Sequence, residues 1–462
     1  MAAAESVDLV IVGAGPGGLA AAIEARKSGL SCTLLDEQAA PGGQIYRAVD
    51  ASTARMREVL GEDYAAGALL TEEFRRSGAN HVRGASVWNV GRDRQVNYLH
   101  AGSNKVLEGR HIVLATGAME RPFPVPGWTL PGVMGAGAAQ ILYKSAGALP
   151  TAPVVLAGGG PLLYLLASQY LNAGVKLAAV VHTTGAGDYL RAAGLLPRAL
   201  RGWRDLRKGI RMLRDLRAHK VPVYAGASDF SIEGTERAQA VCFTRKGRIH
   251  RIETPLVLLH QGVVPNTQLS WSLRAEHVWD EAQLCWVPCT DAYGQIDHSG
   301  IYIVGDSRGI VGAKASASQG RLAAIEIASQ QGKLSLAQRG GREEAVRKGL
   351  RANLHVRPFL DALYRPLDAH RIPAQESVVV CRCEEVTAGQ IRGHVAVGCQ
   401  GPNQTKAFGR CGMGPCQGRL CGLTVTELIA DARGVSPGEV GYYRIRPPIK
   451  PVTLGELAGV AS

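Results

Sequence analysis

Short apolar runs alternate with glycine-rich turns along the first 320 residues of the chain. The runs that lead into such turns are LVIV at 9–12, IVLATG at 112–117, PVVLAGGG at 153–160 and IYIVGD at 301–306. A buried strand that enters a glycine turn and then a helix is typical of a parallel α/β sheet. The pattern therefore predicts an α/β protein built from βαβ units.

The first unit, residues 8–37, reads DLVIVGAGPGGLAAAIEARKSGLSCTLLDE. In such a unit Gly13 permits the tight turn, Gly15 lets the backbone approach a pyrophosphate, and Gly18 lets the helix pack close to the strand. Asp36 ends the second strand, where an acid binds ribose hydroxyls, and its neighbour Glu37 is an alternative. We predict a nucleotide at this turn, with its phosphates at the helix N-terminus.

Three later segments point to FAD through their resemblance to a known superfamily. They are the stretch around Gly43 and Gln44, the strand that ends at Thr116 and Gly117, and the strand that ends at Gly305 and Asp306. With the first unit, they resemble the two-dinucleotide-domain flavoproteins of the glutathione reductase-like superfamily. The resemblance implies that Asp306 meets the ribityl chain of FAD and that the following turn faces the isoalloxazine ring.

Residues 153–182 repeat the βαβ pattern with two departures. Gly158 and Gly160 match the glycine motif, but the third position is Leu163 and the second strand ends at His182 instead of an acid. A leucine prevents the close helix–strand contact that glycine gives, and the residue that selects NADH is missing. We expect a second Rossmann-type fold in which nicotinamide binding is doubtful. NAD(P), another nucleotide such as ATP, and a scaffold role stay open.

Four cysteines form two close pairs near the C-terminus, Cys381 with Cys383 and, after 27 intervening residues, Cys411 with Cys416. Four converging thiolates favour an iron–sulfur cluster or zinc over hard metals. Buried structural thiols are the simpler alternative. The spacing does not decide between iron and zinc. Iron is favoured because the flavin of a flavoprotein can exchange electrons with an iron–sulfur cluster.

The distribution of charge along the chain limits the kinds of partner that the protein can have. The net charge is +13, and residues 191–220 carry ten Lys/Arg against Asp205 and Asp215. Apolar residues recur there at three- and four-residue spacing, which predicts an amphipathic helix with a basic face, at Leu200, Trp203, Leu206, Ile210, Leu213 and Leu216. A solvated face is the default interpretation. An acidic protein partner comes next, an anionic membrane is also open, and nucleic acid is disfavoured because no binding motif accompanies the charge.

No apolar run reaches the roughly 20 residues of a membrane span, and nothing at the N-terminus looks like a signal peptide. Six of the ten cysteines fall between 381 and 421. This clustering favours a metal site over a framework of disulfide bonds. These features predict a cytoplasmic protein.

The order of these segments predicts a domain layout. We expect a discontinuous FAD domain (1–120 and 285–330), a second nucleotide-type domain (121–284) and a helical connector (331–375). A cysteine domain (376–434) and a Pro-rich, extended tail (435–462) follow.

Over most of its length the chain resembles the FAD-containing α subunits of bacterial multi-subunit amino-acid dehydrogenases. That group includes opine oxidases, D-hydroxyproline and dye-linked proline dehydrogenases, and the B subunit of hydrogen cyanide synthase. The segments that carry the resemblance are LLDEQAAPGGQIYR, LATGAMERPFPVPGWTLPGVMGAGAAQ, CRCEEVT and RCGMGPCQGRLCG. The last is similar to the bacterioferritin-associated ferredoxin-like [2Fe-2S] domain. This implies a C-terminal iron–sulfur domain with ligands Cys381, Cys383, Cys411 and Cys416, and Cys421 as an alternate.

The resemblance also implies that amine oxidation occurs in a separate β subunit with its own flavin, and that a small γ subunit carries another iron–sulfur centre. A further flavin, FMN, at a subunit interface is left open. We expect this chain to relay electrons from that β subunit to an acceptor, and no catalytic acid or base is identified in it. The alternatives are a self-sufficient NAD(P)H-dependent FAD/iron–sulfur reductase, and a redox sensor or scaffold with zinc in the cysteine site.

Overall fold

The computed structural model describes residues 5–459. The first stretch forms a parallel sheet in which β1 lies between β2 and β6, with β3 next to β2. A hairpin of β4 and β5 extends the sheet antiparallel to β6. The elements of this stretch are β1 (Glu5–Val12), α1 (Pro16–Lys27), β2 (Cys32–Asp36), α2 (Ala54–Leu60), α3 (Glu62–Ala65), α4 (Gly67–Ser77), β3 (Asn80–Arg83), β4 (Ser86–Val90), β5 (Gln95–His100), β6 (Ser103–Leu114), β7 (Ala118–Glu120) and β8 (Val133–Gly135).

The middle stretch builds a second parallel sheet, in the order β11-β10-β9-β15-β8, and an antiparallel sheet of β12, β13 and β14. Strand β16 pairs with β7 in a separate two-stranded antiparallel sheet. Its elements are α5 (Ala136–Ala146), β9 (Val154–Gly159), α6 (Pro161–Asn172), β10 (Leu177–His182), α7 (Ala186–Ala193), α8 (Leu196–Ala199), α9 (Trp203–Ala218), β11 (Val223–Ala225), β12 (Ser228–Glu233), β13 (Ala240–Arg245), β14 (Arg248–Glu253), β15 (Leu256–Gln261) and β16 (Val263–Pro265).

The last stretch returns to the first sheet, because β20 pairs in parallel with β6. The first sheet therefore takes its strands from two separate parts of the chain, in the order β19-β20-β6-β1-β2-β3. The elements are α10 (Gln268–Ser272), β17 (His277–Asp280), β18 (Cys285–Pro288), β19 (Gln295–Ile296), β20 (Ile301–Ile303), α11 (Ala313–Gln330), α12 (Leu336–Asn353), α13 (Arg357–Leu363), β21 (Val379–Cys381), β22 (Val386–Thr387), α14 (Ala388–Ala396), α15 (Pro402–Gly409), α16 (Gly422–Arg433), α17 (Pro437–Val440) and α18 (Leu454–Ala458).

One face of the first sheet is covered by α1 and α11, which cross in close contact. A Cβ at Gly320 would lie 2.0 Å from the carbonyl oxygen of Gly17, so only glycine fits at this crossing. Gly18 fits against the turn in the same way, because its Cβ would lie 1.9 Å from the Gly13 oxygen. These contacts bring the N-termini of both helices to the carboxyl ends of the strands.

On its other side the first sheet belongs to a buried apolar cluster that runs through β4 and β5 to the cysteine-bearing region. Val10, Val12 and Leu114 of the sheet share one buried apolar cluster with Val425 and Leu428 of α16. Each Å² of apolar surface that is buried stabilises the folded state by roughly 25 cal/mol. A shared core of this kind therefore attaches the cysteine-bearing region firmly. The cysteine-bearing region and the first sheet thus belong to one continuous core.

Two predicted elements differ from the structure. The basic segment is divided into α7, α8 and α9, and of its six predicted apolar positions only Leu216 is buried. The Pro-rich tail is extended between 441 and 453, but α17 precedes this part and α18 follows it. None of the helices within residues 5–459 is long and apolar enough to cross a bilayer.

Candidate FAD cavity and cysteine cluster

A cavity of about 1690 Å³ opens at the carboxyl ends of the first sheet and continues to the second sheet. Two predicted cofactor residues, Gly18 and Gly158, lie outside its lining, at the helix packing contact and beneath the second turn. The other predicted cofactor residues all line it: Gly13, Gly15, Asp36, Glu37, Gly43, Gln44, Thr116, Gly117, Gly160, Gly305 and Asp306. Segments that are distant in sequence therefore meet around one space.

Glycines in the first turn let a ligand contact the backbone of the turn directly. Gly13 has φ +105°, and its Cβ would lie 2.5 Å from the Ala115 oxygen, so a side chain is excluded there. Gly15 has extended backbone, and nothing lies within 4 Å of its Cβ position. The open space at Gly15 borders the cavity directly at the N-terminus of α1. A phosphate group fits this position, where the free N–H groups of a helix favour negative charge.

Asp36 holds the turn in place. Its Oδ2 accepts the Ala14 N–H at 2.5 Å and its Oδ1 accepts the Gln38 N–H at 2.8 Å. Burial raises the pKa of this carboxyl, and the two N–H donors oppose the shift. Each carboxylate oxygen still has a free lone pair for a ligand hydroxyl.

Glu37 is the neighbour of Asp36 and is paired with the C-terminal tail. Its carboxylate contacts the Lys450 ammonium, and Lys450 itself lines the cavity. Burial disfavours the charged form of Glu37, but Lys450, Arg419 and Arg47 together outweigh burial and lower the pKa of this carboxyl. The tail is fixed nearby, since the Ile449 N–H donates to the Trp88 oxygen at 3.0 Å. The tail thereby closes this end of the cavity.

Asp306 supports the second helix N-terminus at the cavity. Its Oδ1 accepts the N–H groups of Val311 and Gly312, each at 2.8 Å, just before α11 begins. Gly305 has φ +72° and its N–H donates to Gln319 Oε1 at 2.8 Å. The carboxylate of Asp306 thus fixes the turn and faces the cavity.

The structure adds two groups to the cavity that the sequence does not reveal. Glu120 Oε1 lies 2.8 Å from His260 Nδ1, and both residues line the cavity although 140 positions separate them. Lys144 is buried, and its ammonium donates to the Gln44 and Ile45 oxygens and to Gln140 Oε1 at 2.9–3.1 Å. Burial lowers the pKa of Lys144 to about 7. No local sequence signal marks either group, because Glu120 and His260 lie on different strands and Lys144 meets the distant oxygens of Gln44 and Ile45.

The second glycine turn has the backbone shape of a nucleotide-binding turn, but the residues that would select NADH or NADPH are missing. Gly158 has φ +133°, and its Cβ would lie 1.7 Å from the His260 oxygen, while Gly160 has φ +120° and borders the cavity. Leu163 is fully buried in the core below the turn. His182 ends β10 in a buried position that lowers its pKa to about 4, so the ring is neutral at pH 7. Thr183 and Thr184, which follow this strand, supply neither an acid for ribose hydroxyls nor a cation for a 2′-phosphate. The acid and the cation close to this strand end are bound to backbone: Asp188 accepts the Gly185 N–H at 2.8 Å, and Arg245 donates to the Ala225 oxygen at 3.1 Å.

The cysteines of the C-terminal region converge in two adjoining groups. The sulfur atoms of Cys381, Cys411 and Cys421 all lie within 4.8 Å of one another and are buried. The thiols of Cys411 and Cys421 lower the pKa of Cys381, as expected where one thiolate is shared by several donors. The Cys383 thiol contacts Cys416 instead. Cys421, which the sequence reveals only as an alternate ligand, is thus part of the buried group.

Glycines let the cysteine-bearing turns wrap closely. A Cβ at Gly414 would lie 2.2 Å from the Cβ of Cys383, and a Cβ at Gly412 would lie 2.5 Å from the Tyr443 ring. The Tyr443 hydroxyl donates to Cys411 Sγ at 3.3 Å. Soft thiolates in a tight, glycine-lined pocket suit an iron–sulfur cluster or zinc.

The cysteine cluster and the cavity adjoin. Arg419, between Cys416 and Cys421, lines the cavity, and the Gln268 amide donates to the Gln417 oxygen at 3.2 Å. Gln268 also lines the cavity. The loop that carries two of the cysteines is therefore part of the cavity wall.

Comparisons with known proteins agree with this architecture. The sequence profile of the family described as pyridine nucleotide-disulphide oxidoreductase matches residues 7–332, and that of the sarcosine oxidase A3 domain matches residues 375–460. The chain is 45% identical to the A subunit of opine oxidase from Rhizobium meliloti, over 98% of this chain and 88% of that one. It is 32% identical to the HcnB subunit of hydrogen cyanide synthase from Pseudomonas aeruginosa, over 96% of each chain.

Among solved structures, L-proline dehydrogenase from P. horikoshii matches with a TM-score of 0.71 at 19% identity, over 98% of this chain and 79% of that one. At this identity the likeness concerns the fold. The predicted α/β fold with two dinucleotide-binding domains is confirmed.

Proposed function

The chain belongs to the pyridine nucleotide-disulphide oxidoreductase family and groups with the A subunits of opine oxidases, and from this membership we propose that it is the electron-transferring component of a heteromeric amino-acid dehydrogenase. The oxidoreductase class is established by this membership, and the family fold supports FAD as its flavin. The substrates we propose for the complex are opines, proline or D-hydroxyproline, oxidised in a flavin-containing β subunit. The proposal also includes a cytoplasmic location and a small iron–sulfur γ subunit.

The observation that carries the proposal is the shared wall of the cavity and the cysteine cluster. The loop from Cys416 to Cys421 contributes Arg419 to the cavity lining. A redox group held by the cysteines would therefore lie beside a flavin held in the cavity. FAD, when bound, accepts a pair of electrons and passes them on, and the protein sets distance and potential.

We propose that FAD is held by the groups that line the first half of the cavity. The open position at Gly15 and the N-terminus of α1 receive the pyrophosphate, and Asp36 or Glu37 receives the ribose hydroxyls. Asp306 and the N-terminus of α11 face the remaining part of the cofactor. The other residues that we assign to this site are Gly13, Gly18, Gly43, Gln44, Thr116, Gly117 and Gly305.

For the cysteine site we propose a [2Fe-2S] cluster with ligands Cys381, Cys383, Cys411 and Cys416. We expect serine at any of these positions to abolish the bound iron and acid-labile sulfide. Cys421→Ser tests whether Cys421 replaces one of them, because its sulfur lies beside those of Cys381 and Cys411. The matched control is Cys399→Ser: Cys399 is buried in the same region, but its thiol contacts Thr405 and the Gly401 oxygen. One zinc and no sulfide in the purified protein would instead support the sensor or scaffold role.

The decisive experiment separates electron supply by a partner from electron supply by NAD(P)H. The purified chain is mixed anaerobically with NADH, then with NADPH, while the flavin absorbance is followed. We expect no bleaching, with the flavin still reducible by dithionite. The co-expressed complex should bleach when an opine, proline or D-hydroxyproline is added.

The second candidate function is a self-sufficient NAD(P)H-dependent reductase. It is favoured by the glycine turn at Gly158 and Gly160, which keeps the backbone form of a nucleotide site. The neutral His182 and the buried Leu163 count against it. Rapid bleaching of the isolated chain by NADH or NADPH would establish this function and refute the partner-fed relay.

A further inference from the structure

Helix α9 presents an apolar stripe to solvent instead of burying it. Trp203 and Ile210 are each 52% exposed and Leu213 is 39% exposed, whereas Leu216 is 1% exposed. The preceding segment continues this character, since Leu190, Leu196 and Leu200 are also exposed. Hydrophobic residues of a surface helix ordinarily face the core. We call Leu196, Leu200, Trp203, Ile210 and Leu213 the outer stripe.

The helical repeat separates the outer stripe from the side that faces the protein. At 3.6 residues per turn, positions 203, 206, 210 and 213 fall along one line of the helix. The buried Leu216 lies at the edge between the two sides, and the part-buried Met212 and Asp215 fall on the opposite half. Asp215 is held there, because its Oδ2 accepts the Ser168 hydroxyl at 2.7 Å. The helix is thus anchored by a narrow inner edge.

Arginines flank the outer stripe, and the acids of the helix are turned away from it. Arg207, Arg214 and Arg217 lie next to the stripe on the helical repeat. None of them forms an ion pair within residues 5–459. Asp205 lies 3.7 Å from Lys208, which also contacts Asp63 on the protein side. The outer face therefore combines apolar side chains with unpaired positive charge.

We propose that α9 and the segment from Leu196 to Gly202 bind peripherally to an anionic phospholipid surface. A helix with Trp and Leu on one face and arginines beside it lies in the membrane interface, with the apolar side chains at the acyl boundary and the guanidinium groups at lipid phosphates. The long arginine side chains reach the headgroups while their stems stay on apolar surface.

Lipid is favoured over an acidic protein partner by the composition of the helix. Between Trp203 and Ala218 the sequence contains no Ser, Thr, Asn, Gln, Tyr or His. Trp, Met and Arg also occur at protein interfaces, but Trp and Leu on one face of an otherwise arginine-rich helix with low net hydrophobicity are typical of a helix that lies in a bilayer interface. A lipid headgroup layer needs only apolar insertion and cations, which is what the outer stripe and its arginines offer. The proposal does not depend on the proposed function, since it concerns a separate surface.

The opposite side of the same helix reaches the nucleotide cavity. Met212 and Asp215 line the cavity, together with Lys208. Binding of the outer stripe to a bilayer would therefore place the second half of the cavity close to the membrane surface.

The test is a vesicle flotation assay with the purified full chain that has FAD bound. Vesicles of phosphatidylcholine alone are compared with vesicles that also contain phosphatidylglycerol. We expect flotation only with the anionic vesicles, decreasing as NaCl is raised because surface charge is screened. Equal binding to both vesicle types, or binding to neither, would overturn the proposal.

Variants localise the contact. Ile210→Glu combined with Leu213→Glu should lower the bound fraction about tenfold, since charges replace inserted side chains. The matched control is Ile249→Glu, because Ile249 is even more exposed but lies on β14. Trp203 emission should shift to the blue with anionic vesicles, and the shift should be absent in Trp203→Phe. Flavin content and melting temperature establish that each variant is folded.

One result would assign the surface to a protein instead. If Ile210→Glu with Leu213→Glu left vesicle binding unchanged but prevented co-purification with the other subunits, the outer stripe would be a subunit interface and the lipid proposal would be refuted.

Discussion

Gly15 is the position in the first turn where a side chain would fit the protein but not the ligand. Its backbone is extended and its Cβ would meet no atom within 4 Å, on the edge of the cavity. We expect Gly15→Val to fold and to bind FAD at least about tenfold more weakly, equivalent to ~1.4 kcal/mol. FAD titration of the apoprotein measures this. Gly340→Ala on α12, where no atom lies near the Cβ position, should bind FAD normally. Undiminished affinity in Gly15→Val would mean that the phosphates lie elsewhere.

Lys144 gives the protein a pH-dependent stability. Burial lowers its pKa in the folded state to about 7, against roughly 10.4 in an unfolded chain. Between these values the unfolded chain binds more protons, so the folded state gains stability as the pH rises above 7. Below pH 7 both states are protonated, and the cost of the buried charge is constant.

We therefore expect the free energy of unfolding of wild type, relative to that of Lys144→Met, to increase by about 2 kcal/mol between pH 7 and pH 9. Denaturant unfolding at fixed FAD concentration measures it. Lys176→Met, at an exposed lysine, should show no such shift. A difference that is the same at both pH values would place the ammonium in contact with water.

At the residue scale, what the sequence predicts depends on how local the contact is. Gly13, Gly15 and Asp36 lie within one βαβ unit, so their spacing alone indicates a turn. Glu120 and His260 meet only because β7 pairs with β16 and β15 lies beside β9. Three-dimensional pairing of this kind leaves no pattern in a single sequence. Cys421 lies close in sequence to Cys416, but its spacing does not reveal that it packs against Cys381.

Among elements, the crossing of α1 and α11 positions both helix N-termini at the cavity. Because a Cβ at Gly320 would overlap the Gly17 oxygen, Gly320→Val should push the helices apart. We expect a loss of about 1–3 kcal/mol in stability, typical of overpacking, together with weaker FAD binding. Thermal unfolding followed by flavin fluorescence tests this. Gly349→Ala on α12, where the space is open, should unfold at or above the wild-type temperature.

The existence of the basic amphipathic segment was predictable from its periodicity, but its orientation was not. The apolar period is the same whether a helix faces the core, a lipid or a partner. What decides the orientation is that α9 packs against α6, where Leu216 joins the same buried cluster as Leu163 and Asp215 accepts the Ser168 hydroxyl. Contacts with neighbouring elements, and not the helix's own sequence, determine the exposed face.

At the scale of the whole molecule, the FAD-type domain and the cysteine-bearing region share one core. Removal of residues 376–462 would take away the part of this core that α16 supplies, including Val425 and Leu428, and expose the apolar residues packed against it. We expect the truncated chain to be insoluble, because a contiguous apolar face of this kind promotes aggregation. Removal of residues 454–462 alone should leave the protein soluble with FAD bound, since α18 has no buried residue. Expression and size-exclusion chromatography of both truncations decide the matter.

The position of Lys450 in the cavity wall has a consequence for biosynthesis. The first glycine turn is translated within the first 20 residues, yet the lining it belongs to also includes Asp306, Arg419, Ile449 and Lys450. A ribosome has therefore made nearly the whole polypeptide before the last part of that wall exists. The nascent first sheet spends most of translation without its cover, so its maturation would be sensitive to chaperones and to any pause late in the message.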